Sequence, residues 1–173
     1  NYPLCTHTEG GKTMYIDCHP CLLQALPDPL YRNDGDGRFE DVSVKSGITA
    51  ESARCGPGVV AADLDEDGDV DLYVSNDTTP NFLWENQDDG TLVDRGIVAG
   101  TAFNRYGACE AGMSVEAADF TGDGRFDIVT AERKDDGVIV LAGDGEGGFE
   151  ANRHPAGNRI DGRLPHDMAQ LGL

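Results

Sequence analysis

Asp63-Leu64-Asp65-Glu66-Asp67-Gly68-Asp69-Val70-Asp71 sets carboxylates at loop positions 1, 3, 5 and 9 around a glycine at position 6. Alternate side chains can curl onto one ion only where the backbone turns sharply, and glycine permits that turn. Calcium takes about six to eight hard oxygen ligands in flexible geometry, so the stretch has the make-up of a calcium loop. Magnesium fits less well, because so many carboxylates would have to displace waters that it holds tightly. The pattern returns at Asp119-Phe120-Thr121-Gly122-Asp123-Gly124-Arg125-Phe126-Asp127, a period of 56 residues from Asp63 to Asp119. An EF-hand needs a bidentate Glu at position 12. Here that position holds Val74 and Thr130, both inside apolar runs.

The expected side-chain ligands are Asp63, Asp65, Asp67 and Asp71 in the first loop and Asp119, Thr121, Asp123 and Asp127 in the second. Asp69 and Arg125, at position 7, are expected to offer backbone carbonyls. Two calcium ions follow, with the four-carboxylate first loop binding more tightly than the second. Without metal, each pair of carboxylates roughly 4 Å apart repels by on the order of 4 kcal/mol at an effective dielectric of about 20. Calcium there is expected to be structural rather than catalytic.

Working outward, Val59 to Ala62 and Leu72 to Ser75 flank the first loop, and Val115 to Ala118 and Ile128 to Ala131 flank the second. All four runs are predicted strands. A second element recurs as Leu30 to Phe39, Leu83 to Leu92 and Val140 to Phe149: an apolar pair, a turn of Gly, Asn and Asp, and another apolar residue, which predicts hairpins. Only Leu22 to Leu26, ending at Pro27, hints at a helix. The reading is all-β: a partial β-propeller of about three blades, residues 28–173, preceded by a Cys-containing segment, residues 1–27. Propellers close with about four to eight blades. The 56-residue period puts the next loop just past Leu173, with Leu164 to Leu173 as the strand leading to it. The chain is therefore expected to be a fragment, or a subunit whose open blade edges are covered by a protein partner or by self-assembly.

Acidic residues outnumber basic ones 32 to 13 in these 173 residues, for a formal charge of −19, which repels phosphate backbones and anionic membranes and attracts divalent cations. Nucleic acid is excluded as a natural partner, and no apolar run approaches the roughly 18 to 20 residues that span a bilayer. The 39% hydrophobic content can supply a core. The chain begins at Asn1, without Met or a signal pattern, which reads as a processed form or an internal segment.

The loops after strands, alternating with hairpins of the type Leu30-Tyr31-Arg32-Asn33-Asp34-Gly35-Asp36-Gly37-Arg38-Phe39, resemble the FG-GAP/VCBS repeats of integrin-α-like β-propellers. Gly112-Met113-Ser114-Val115-Glu116-Ala117-Ala118-Asp119 with the Leu30 hairpin is most similar to the extracellular cartilage-acidic-protein-like branch. The resemblance implies a secreted or periplasmic, calcium-stabilised propeller used in adhesion or assembly. The middle hairpin departs from it in having Leu92 where Phe is usual.

Five cysteines, Cys5, Cys18, Cys21, Cys55 and Cys109, suggest an oxidising compartment. Cys18-His19-Pro20-Cys21 has redox or zinc spacing, with His7 and His19 near. The leader lacks the βαβ context of redox enzymes, and a disulfide from Cys5 to Cys18 or Cys21 is preferred. Cys55 and Cys109 precede successive acidic loops, so a bridge between blades is open. Gly10-Gly11-Lys12-Thr13 mimics a phosphate loop without its upstream glycine and is rejected, as is Gly143 to Gly148 as a dinucleotide motif. Asn76-Asp77-Thr78 fits the glycosylation acceptor pattern. Trp84 and Tyr31 share one repeat position and are expected in the core, and His154 and His166 are expected at the surface. No Ser/His/Asp, Cys/His or paired-carboxylate set remains once the loop ligands are set aside, so the function read here is a non-enzymatic interaction module. A propeller lectin or an accessory domain of a secreted enzyme are the alternatives.

Overall fold

The computed structural model describes residues 4–16, 18, 25–51, 53–132 and 137–155. Among them, twelve strands form four antiparallel sheets, with one α-helical turn and one 3-10 turn. β1 (Cys5–Glu9) and β2 (Lys12–Ile16) make a hairpin whose turn residues Gly10 and Gly11 both have positive φ, 57° and 78°. That conformation explains the paired glycines of the false phosphate loop. A disulfide joins Cys5 to Cys18. Cys21, like His19, lies outside the described residues.

β3 (Tyr31–Asn33) pairs with β4 (Phe39–Asp41) as a second hairpin. Two four-stranded meanders follow. The first runs β5 (Gly58–Ala62), β6 (Asp71–Ser75), β7 (Phe82–Asn86), β8 (Leu92–Asp94). The second runs β9 (Gly112–Ala118), β10 (Asp127–Glu132), β11 (Gly137–Gly143), β12 (Phe149–Pro155). Each is a propeller-type blade. The pairings Asn33 with Phe39, Asn86 with Leu92 and Gly143 with Phe149 are equivalent, so β3–β4 matches the outer pair of strands of a blade. The three sequence units thus appear as one outer hairpin and two complete blades.

The strand alternation of the middle blade gives it two apolar faces. Tyr73 and Leu83 stand opposite each other and pack with Leu64 of the first acidic loop and with Ile128, Ile139 and Leu141 of the next blade. Leu72, Val74, Phe82 and Trp84 point the other way, against Leu30, Ile48 and Leu92. Each large side chain buried this way contributes about 1.5–3 kcal/mol. Small residues let the innermost strands meet: a Cβ on Gly58 would lie 3.4 Å from Ser114 Cα, and one on Gly112 would lie 3.0 Å from Ser75 Cβ.

Two expectations need correction. Tyr31 is 55% exposed while Trp84 is 2% exposed, because among the described residues β3 has no inner strand beside it to complete a face. Ala25 and Leu26 are not helical, and Leu22 lies outside the described residues. The helical turn is instead α1 (Ser43–Ser46), followed by a 3-10 turn, Ile48–Ala50. Buried Ser43 holds α1 to the hairpin: its hydroxyl accepts from the Leu30 N–H at 2.8 Å and donates to Asp41 Oδ1 at 2.6 Å. The segment Leu164 to Leu173 and His166 lie outside the described residues, as does the side chain of His154. Among the described residues, no helix is long and apolar enough to cross a membrane.

Candidate metal centre

Loop 1, residues 63–70, connects β5 to β6 and is far too long for a tight hairpin. Two residues turn it by adopting positive φ: Glu66 at 61° and Gly68 at 98°. Loop 2 uses Gly122 and Gly124 at 78° and 92°. Position 4 is therefore a second left-handed position, one that sequence reasoning missed although Gly122 marks it. Glu66 holds it at a cost of about 1–2 kcal/mol.

In loop 1 the carboxylates are laced to backbone N–H groups. Asp63 Oδ2 accepts from Gly68 at 3.1 Å, Asp65 Oδ1 from Asp67 at 3.3 Å and Asp67 Oδ1 from Asp69 at 2.9 Å. Asp71 is 2% exposed and takes Leu64 N–H on Oδ2 and Asn86 N–H on Oδ1, each at 2.9 Å. One oxygen each of Asp63, Asp65 and Asp71 lies within 4.8 Å of the others. Asp63 Oδ1 is buried without a hydrogen-bond partner. Among the described residues no Lys or Arg forms an ion pair there. Burial, followed by the charge of Asp71, pushes the Asp65 carboxyl above its ordinary value, and burial does the same to Asp71 against its two backbone hydrogen bonds. Crowded, partly desolvated carboxylates with an unspent oxygen fit a hard divalent cation, which would remove the repulsion.

Loop 2 is built differently. Asp119 spends both oxygens on the N–H groups of Gly122, Asp123 and Gly124, at 2.6–3.1 Å. Asp127, fully buried, accepts from Phe120, Thr121 and Gly143 at 2.7–3.0 Å. Arg125 sits on Asp123, its Nε and Nη2 donating to Oδ2 at 3.1 and 2.6 Å. The Arg125 N–H bond to Oδ1, followed by these side-chain bonds, holds the Asp123 carboxyl below its ordinary value. Position 7, considered only for its carbonyl, here brings a cation to the loop. The Thr121 hydroxyl is buried, yet no group of three loop 2 carboxylates is gathered as in loop 1.

Loop 1 also meets the next blade. A Cβ on Gly147, in the β11–β12 turn, would lie 3.4 Å from Asp65 Cβ, and one on Gly145 would lie 3.3 Å from the Glu66 carboxyl carbon. Arg125 Nη1 donates to Asp144 O in that turn at 3.3 Å. The order of loop 1 therefore bears on how two blades pack.

The model of the FG-GAP-like repeat matches residues 27–74 and again 63–130. The first match starts ahead of the β3–β4 hairpin and the second at the first residue of loop 1, and each runs into strands of the next blade. The chain belongs to the FG-GAP-like repeat family. This FG-GAP chain is 32% identical over 116 residues to cartilage acidic protein 1 of Mus musculus, covering 66% of the chain and 17% of that protein. Against the Homo sapiens protein of that name identity is 31% over 108 residues, covering 62% and 15%. Against that of Xenopus tropicalis it is 35% over 74 residues, covering 43% and 11%. The chain spans less than a fifth of the length of these relatives.

Two tempting motifs close. Asn76 is fully buried and its Nδ2 donates to Pro80 O at 2.7 Å, so the folded chain leaves no room for a glycan on this acceptor. No disulfide joins Cys55 to Cys109. The backbone of Asp77 and Thr78 runs between them, donating to Cys55 O at 2.7 Å and to Glu110 O at 2.8 Å.

Proposed function

We infer that this FG-GAP chain is a non-enzymatic, calcium-stabilised module of an extracellular propeller, used in adhesion or assembly. The observation that carries the reading is loop 1: three gathered carboxylates with an unspent buried oxygen, seated under the turn of the neighbouring blade. A metal there would be held by Asp63, Asp65, Asp67 and Asp71 with the Asp69 carbonyl, and it would supply charge neutralisation and rigidity rather than chemistry. Asp119, Thr121, Asp123 and Asp127 with the Arg125 carbonyl make a second, weaker site, since Arg125 already neutralises Asp123. The Cys5–Cys18 disulfide and the similarity to cartilage acidic protein 1 support a secreted setting. Residues 1–27 then form a stapled leader to the repeats of 28–173, whose open blade edges take a protein partner or another copy.

Calcium at about a hundredfold excess over its Kd stabilises the fold by about 2.7 kcal/mol. For a chain of this size that raises the melting temperature by about 5–10 °C, reversed by chelator. Calorimetric titration is expected to show Asp65→Asn removing the tighter site and Asp123→Asn the weaker. A melting temperature indifferent to calcium would refute the reading, as would equal affinities in the two variants for the order of the sites.

A further inference from the structure

β12 runs on where its counterparts stop. The outer strands β4 and β8 are three residues long, whereas β12 spans seven, Phe149–Pro155. Asp41 and Asp94 end the short ones: each Oδ1 accepts a backbone N–H two residues on, from Ser43 at 3.0 Å and from Gly96 at 2.9 Å, and turns the chain away. The residue in that place on β12 is Ala151, which has no such acceptor. Its strand stays straight.

The segment that leaves β8 touches this edge at one point. Phe149 N–H donates to Ala99 O at 2.9 Å, and a Cβ on Gly100 would lie 3.0 Å from Phe149 O. Asn81 then draws the segment off, its N–H donating to Ala102 O at 3.1 Å and its Nδ2 to Thr101 O at 3.2 Å. Antiparallel strands turn alternate residues towards and away from their neighbour. Phe149 points its N–H away from β11, so in unbroken register Ala151 does the same with its N–H and C=O. Pro155, lacking an N–H on that same side, closes the far end. Among the described residues no strand covers this edge, because β12 is the last of its sheet.

Between Ala151 and the diverging segment lies a groove of about 540 Å3, with Ile97, Phe103 and Arg105 on one side and Glu150 and Asn152 on the other. It continues past Phe149 into a hollow of about 720 Å3 beside Val98, Asp123 and Asp144. Ile97 is 74% exposed and Val98 85%, so adjacent aliphatic side chains stand in water beside an unpaired strand. Native sheets blunt such edges unless something pairs with them. The lining sets Asp123, Asp144 and Glu150 against Arg105 and Arg125, and Arg125 is spent on Asp123. Glu150 is exposed and, among the described residues, forms no ion pair. The formal charge of −19 repels a second copy and draws in a basic partner.

We propose that the outer edge of β12 docks an extended basic segment of a partner protein, which adds a fifth strand to the blade. Its backbone exchanges hydrogen bonds with Ala151, its apolar side chains cover Ile97 and Phe103, and a Lys or Arg meets Glu150. This rests on the reading that open blade edges take a partner, and it names the edge and the chemistry. Loop 1 takes no part in it.

The test is fluorescence titration of the intact chain, in calcium, with short labelled peptides: one alternating lysine and valine, one alternating glutamate and valine, and the first with every backbone nitrogen methylated. The lysine–valine peptide is expected to saturate the chain, and the other two to bind about tenfold more weakly or worse. Ala151→Pro removes the outward N–H without breaking a ladder bond or changing the charge, and is expected to weaken the peptide about five- to tenfold. Glu150→Lys, at an exposed position, should weaken it by a similar factor and melt like the parent. Binding that Ala151→Pro leaves unchanged would put the partner on another edge, overturning this assignment while the general reading stands. Equal affinity for the glutamate–valine or the methylated peptide would also overturn it. So would a dimer in sedimentation that Ala151→Pro dissolves, because the edge would then belong to a second copy. No binding of any peptide by a monomeric chain would sink both the proposal and the reading of open edges.

Discussion

Asp127→Ala is expected to destabilise the chain by about 3–5 kcal/mol, a large part of the roughly 5–15 kcal/mol that holds a typical domain together. Asp127 is fully buried and accepts three backbone hydrogen bonds, from Phe120, Thr121 and Gly143. Hydrogen bonds to a charged acceptor are worth about 1.5–3 kcal/mol each, and truncation strands three donors where little water reaches. Asp71 does the same work in the preceding blade through Leu64 and Asn86. Position 9 of the loop is thus a structural post before it is a metal ligand: it closes the loop with one oxygen and ties it to the third strand of the blade with the other. Urea unfolding in excess chelator isolates this role from metal binding. A loss below about 1 kcal/mol there would mean that position 9 matters only through the ion.

Gly143→Ala is expected to be nearly as damaging, at about 2–4 kcal/mol. A Cβ on Gly143 would stand 2.2 Å from Phe126 O, a backbone atom that no rotamer change can move. Relief requires β11 to pull away from the end of loop 2, which also breaks the 3.0 Å bond from Gly143 N–H to Asp127. Gly145→Ala makes a useful comparison. Its Cβ would meet mainly the flexible ends of Arg125 and Glu66, although its φ of 75° adds strain of its own. Denaturant midpoints of the two variants should rank Gly143→Ala as the less stable. The reverse order would show that the loop 2 end of β11 yields easily.

The repeat was legible because its signals are local. Gly10-Gly11, the Asn and Gly turns after Asn33, Asn86 and Gly143, and the apolar runs beside each acidic loop all act through φ preference and strand alternation within a few residues. Every strand read from the flanking runs and hairpins is present, and the FG-GAP assignment follows from the same residues. The helical turn α1 was missed because its fastening is not local. Ser43 bonds to Leu30, thirteen residues back, and only Gly47, at φ 84°, marks its end in the sequence. Tyr31 was misread for a related reason: a repeat position predicts burial only when a strand covers it, and coverage belongs to the sheet rather than to the residue.

In the candidate site, residue type and spacing determined by themselves that two loops would curl around a glycine and line up oxygens, since the turn and the acidic side chains lie within nine residues. They also determined the all-β class and the blade period. Only the tertiary structure decided that the two loops differ. Asp63, Asp65 and Asp71 converge with an oxygen to spare, whereas Asp123 is claimed by Arg125 and Asp119 by its own backbone. The reason is that a carboxylate's availability depends on which donors reach it. Some of those donors come from other strands and from the next blade, whose approach no nine-residue pattern encodes.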